Sequence, residues 1–114
     1  MLVKKAAAGI VGSLPEELRS KARHVLICAA DTPSPGEEDY GEDLLGLYEG
    51  TPLPERFIDQ PPVLPDRITL FRKPLTAVCD NEWELREEIR ATIIHELGHF
   101  FGFTEEELEE RGLS

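Results

Sequence analysis

Asn81 and Gly102 bracket twenty proline-free residues, and this stretch commits the chain to its longest element. Asn81, with Glu84 three residues later, is the signature of a helix N-terminus, and glycine at 102 suits the left-handed turn that ends a helix. A helix over 82–101 is therefore predicted. On a helical wheel Ile89, Ile93, Leu97 and Phe100 form one apolar stripe, widened by Ile94 and Phe101, while Glu88, His95 and His99 fall on the other side. The histidines thus lie off the core stripe. Residues four apart share a helix face, so His95 and His99 can direct both imidazoles at one cation. Glu96 follows His95 by about 100° of helix rotation, near enough to reach a water at that cation without ligating it.

The rest of the chain reads as smaller elements around this helix. Val3, Ala7, Ile10, Val11 and Leu14 recur at helical spacing, which predicts an amphipathic helix over 2–13. Lys4 and Lys5 before a short apolar run superficially resemble a signal peptide, but the run is rich in Gly and Ala and only weakly apolar. Pro15 opens a second short helix extending toward Arg23. The continuously apolar run 25–30 predicts a strand covered on both faces. A loop over 31–43 follows, with Pro33, Pro35, Gly36 and Gly41 among acidic residues. Residues 44–49 predict a second strand, placed at a sheet edge by its glycine and the prolines beyond it. The proline-rich stretch 52–65 predicts an extended connection. Residues 66–72 alternate polar and apolar as a third strand, ended by Pro74, with a short turn or helix over 75–78. Thr104 and Glu107 form a second capping pair, which starts a terminal helix over 105–111.

A length of 114 residues fits one domain, 1–114. With 23 acidic against 12 basic residues and a formal charge of -11, the chain repels polyanions, which excludes nucleic acid as a partner and weakly favours cationic peptides. No stretch is long and apolar enough to span a membrane. Cys28 and Cys79 match no Cys-x-x-Cys spacing, and Cys28 sits in an apolar run, as expected of a buried free thiol in the reducing cytoplasm. His24, just before the first strand, is assigned a structural or surface role.

Two imidazoles do not complete a catalytic zinc site, which takes three protein ligands and keeps a fourth position open. In thermolysin-like enzymes the third is a glutamate on a later helix, and only 15 residues follow His99. In the metzincin pattern a glycine three residues after the second histidine turns the chain, and the residue three further on binds the metal. Gly102 and Glu105 occupy those positions. Glu105 is the expected third ligand, Glu106 and Glu109 are the alternatives, and the other reading of these acids is as partners of a helix dipole. Met1 is the only methionine, so the metzincin Met-turn is missing.

The chain resembles the small bacterial zincin-like metallopeptidases. The resemblance rests on Leu14-Pro15-Glu16-Glu17, the segments 44–50 and 64–72, and the run from His95 to Glu110. It implies an α+β, minimal zincin-like fold, with a small mixed sheet of three to four strands packed on N-terminal helices and a long active-site helix. It also implies one zinc ion per chain, held at 95, 99 and 105.

Glu96 would take the proton of the attacking water and return it to the leaving amine, which is peptide hydrolysis. Tyr48, on the edge strand, is the candidate stabiliser of the oxyanion, against the plainer reading of an aromatic packed on the sheet. A peptide or protein substrate could add as a strand along the same edge, past Gly46 and Glu49. So little chain follows Glu105 that an oligomer, a partner protein or the proline-rich loop is expected to complete the cleft. The alternative functions are a zinc-binding interaction module with little or no proteolysis, and a metal-free structural domain.

Overall fold

The computed structural model describes residues 2–34, 44–56 and 66–113. The loop residues 35–43 and most of the proline-rich connection, 57–65, lie outside the described residues. The described chain runs α1 (Leu2–Gly12), α2 (Glu16–Ala22), β1 (Leu26–Ala30), β2 (Gly46–Glu49), one 3-10 turn (Leu53–Glu55), β3 (Arg67–Phe71), α3 (Arg72–Ala77), α4 (Glu82–Phe101) and α5 (Glu105–Glu110). This is an α+β fold with a mixed sheet.

The strand order is β1-β3-β2. β3 is central, parallel to β1 with Cys28 opposite Thr69, and antiparallel to β2 with Tyr48 opposite Ile68. The sequence had suggested a fully covered strand at 25–30. Instead, among the described residues, β1 lies at the sheet edge, half-buried along most of its length and with Leu26 53% exposed. An apolar run does not by itself distinguish a central strand from one that rests a single face on helices. β3, with its alternating pattern, takes the middle because both of its neighbours need its hydrogen bonds.

α4 carries the core. Ile89, Ile93, Leu97 and Phe100 are buried against Ile68 and Leu70 of β3, Ala7 and Ile10 of α1, and Leu75, Leu108 and Leu113. The predicted stripe is therefore the buried face. Truncating Ile93 to alanine would remove about 2–5 kcal/mol of stability. At its N-terminus Asn81 Oδ1 accepts from the Glu84 N–H at 2.8 Å, while the Glu84 carboxylate accepts from the Asp80 N–H rather than closing on Asn81. β3 ends a residue earlier than Pro74 would require. α3 begins at Arg72 and accommodates Pro74 in its first turn, where a missing N–H costs nothing. Among the described residues, no helix is long and apolar enough to cross a membrane.

Candidate metal centre

The last two turns of α4 present His95 and His99 on its solvent side, with side chains 50% and 54% exposed and ring centroids 4.7 Å apart. Glu96, between them in sequence, turns inward and is only 4% exposed. Its Oε1 lies 3.7 Å from His99 Nδ1, and its Oε2 lies 4.0 Å from His95 Nε2. One ligand atom from each of His95, Glu96 and His99 falls within 4.8 Å of the others, a group that could hold a metal ion. Two imidazoles with carboxylates nearby are a donor set that zinc accepts.

α5 brings a second carboxylate to the imidazoles. Gly102 ends α4 with φ 78°, and the Phe103 N–H returns to the Gly98 carbonyl at 2.8 Å, so the chain reverses sharply. Thr104 then starts α5 with a complete capping box. Its Oγ1 accepts from the Glu107 N–H at 3.1 Å, and its N–H donates to Glu107 Oε1 at 3.2 Å. Leu108 seats α5 on α4 directly over Gly98, where an added Cβ would stand 2.9 Å from Leu108 Cδ1. Glu105 Oε1 rests 2.6 Å from His95 Nδ1. Of the three acids weighed from the sequence, Glu105 is thus the one on the imidazole, although it stands outside the compact group of His95, Glu96 and His99.

β2 supplies the opposite support. The Phe71 N–H bonds to the Leu45 carbonyl, and the antiparallel register then gives Leu47 and Glu49 the ladder bonds. Gly46 and Tyr48 consequently point their backbone groups away from β3. The Tyr48 N–H donates to Glu96 Oε1 at 3.2 Å. Gly46 lies against α4, where a Cβ would come within 2.7 Å of Thr92 Cγ2. Burial raises the Glu96 carboxyl above its ordinary value, opposed by the charges of His99 and His95 and by the Tyr48 N–H.

The Tyr48 phenol, proposed above for the oxyanion, is instead occupied elsewhere. Its hydroxyl donates to Asp66 Oδ1 at 2.6 Å, and its ring meets Phe100 edge-on at 5.9 Å. Burial first, and the Asp66 carboxylate second, raise the phenol well above its ordinary range. Asp66, 9% exposed, also pairs with the Arg56 guanidinium, which lies over the Phe100 ring and donates from Nε to the Thr51 carbonyl. Gly50, at φ 148°, passes so close that a Cβ would meet Asp66 Oδ1 at 2.5 Å and the Tyr48 hydroxyl at 2.8 Å.

Asp66, Arg56 and Gly98 were not assigned site roles from the sequence. For Gly98 a signal existed, because an interior helix glycine costs about 1 kcal/mol and so needs a packing reason. For Asp66 and Arg56 none did, since their meeting depends on the path between strands.

A model of the zincin-like metallopeptidase family matches residues 22–113 of the chain. No curated protein matches it.

Proposed function

The chain belongs to the zincin-like metallopeptidase family, and from that premise we propose that it is a zinc-dependent peptidase in which His95, His99 and Glu105 hold the metal and Glu96 is the general base. The observation that carries this reading is the buried Glu96 carboxylate beside two solvent-facing imidazoles, oriented by a backbone N–H from β2. Zinc, when bound at such a donor set, polarises a carbonyl oxygen and acidifies water.

The chain's own groups supply the remaining work. Burial increases the proton affinity of Glu96, as suits a base that must accept a proton from water and then hand it to the leaving amine. The Tyr48 N–H holds one carboxylate oxygen and leaves the other for that transfer. Glu105 reaches His95 across the α4–α5 turn, which supports its assignment over Glu106 and Glu109. An extended peptide would bond to the outward Tyr48 carbonyl beside the imidazoles, since the Tyr48 N–H is held by Glu96 and Gly46 is buried against α4. In this reading Tyr48 acts through its backbone, and its hydroxyl would have to leave Asp66 before it could meet an oxyanion. The free thiols of Cys28 and Cys79 agree with a cytoplasmic setting.

One observation favours a second reading, a zinc-binding interaction module. Both imidazoles are half exposed, and a wet site loses the electrostatic advantage of an enclosed one. Metal analysis combined with a peptide-library cleavage assay separates the two. The peptidase reading expects about one zinc per chain, cleavage by the wild type, and loss of cleavage with zinc retained in Glu96→Ala. Zinc without cleavage in either protein would support the module. Protein that neither carries nor rebinds zinc would sink both.

A further inference from the structure

We propose that the outer edge of β1 is a self-association surface, and that two copies of the chain pair antiparallel through Leu26–Ala30 to form one continuous sheet with Cys28 on the two-fold axis. Among the described residues no strand other than β3 pairs with β1. The strand is regular and free of proline and charge, and among the described residues it lacks the usual devices that protect an edge from pairing. Leu26 stands 53% exposed at one end of it.

The ladder fixes which groups are available. The Leu26 N–H donates to the Asp66 carbonyl at 2.9 Å, so in the parallel pattern Leu26, Cys28 and Ala30 spend their backbone groups on β3. Ile27 and Ala29 therefore direct theirs outward. The antiparallel register that overlaps the whole strand pairs Ile27 of one copy with Ala29 of the other, and reciprocally, each pair exchanging two hydrogen bonds. No other register that bonds these two residues overlaps all of β1.

Charge and shape agree with the antiparallel direction. Arg23 and His24 precede β1 and Asp31 follows it, so the basic end of one strand lies beside the acidic end of the other, although Asp31 already shares Arg72 at 2.7 Å. The side chains of Val25, Ile27 and Ala29 pack on the core, so Leu26, Cys28 and Ala30 occupy the other face. Leu26 then covers Ala30 of the second copy and leaves water. Cys28 meets its counterpart in a non-hydrogen-bonded pair, where Cα atoms stand about 4.5 Å apart, within disulfide range. The β2 edges with their metal centres remain at the two far ends of the joined sheet.

Sedimentation of the full chain in reductant, up to millimolar concentration, tests the pairing directly. A dimer should grow in with concentration, and Leu26→Glu should weaken it on the order of tenfold by replacing the apolar contact on Ala30 of the second copy with a carboxylate that must lose water. Circular dichroism and thermal unfolding check that this variant is folded. Independently, Cys79→Ser treated with diamide should yield a covalent dimer and the double variant Cys28→Ser/Cys79→Ser none; the azo oxidant takes two electrons and two protons as the two Cys28 sulfurs join. A chain that stays monomeric throughout, as it would if β1 pairs with a strand of another protein, overturns the proposal. So does a dimer that is indifferent to Leu26→Glu, or one that diamide does not link through Cys28.

Discussion

Glu96 is pulled both ways by its surroundings: burial favours its protonated form, while two imidazoles and the Tyr48 N–H favour the carboxylate. Burial dominates, so the metal-free fold binds this proton more tightly than the unfolded chain does. Its contribution to stability is then full below the ordinary carboxylate value of 4.5 and is lost as pH rises through the higher folded value. Glu96→Gln keeps an acceptor for the Tyr48 N–H but carries no charge. Measured without metal at neutral pH, it should unfold at a higher temperature than wild type and show a flatter pH dependence. Tyr48 tests a second residue. Its raised phenol contributes stability that is complete below the ordinary value of 10.0 and declines as pH rises above it. Tyr48→Phe should lose about 1 kcal/mol at neutral pH by urea titration and lack that alkaline decline.

At the scale of elements, the α4–α5 turn decides whether the Glu105 carboxylate, the proposed third ligand, reaches His95. Gly98→Ala would drive a methyl into Leu108 and displace α5, costing about 1–3 kcal/mol of stability. Zinc affinity, measured by chelator competition, should fall with it, whereas a substitution at exposed Glu109 should leave both nearly unchanged. Much of this region was legible in the sequence. Asn81, Gly102 and Thr104 each solve a local backbone problem, so the bounds of α4 and α5 follow from neighbouring residues alone. The imidazole spacing follows from helix geometry in the same way. The edge status of β1 was not legible, because an apolar pentapeptide does not state how many strands flank it. Nor was the destination of the Tyr48 hydroxyl, since Asp66 comes to it from 18 residues away across the sheet.

For the whole molecule, zinc should act as a stabilising ligand. At a free concentration one hundred times the Kd it adds about 2.7 kcal/mol, and in a chain of this size that raises Tm by roughly 10 °C or more. The gain should vanish with chelator, and it should shrink on acidification because metal ligands bind only in their deprotonated form. Differential scanning calorimetry across pH, with and without zinc, measures both effects.

The seating of Glu96 differs in kind from that of the proposed ligands. His95, His99 and Glu105 lie within ten positions of sequence joined by one tight turn, whereas the Tyr48 N–H that orients Glu96, the proposed base, comes from 48 residues away. Short separations close quickly and long ones slowly. In a refolding chain, metal capture should therefore run ahead of base alignment, so that loading the centre and arming it are separate events, the second waiting on β2.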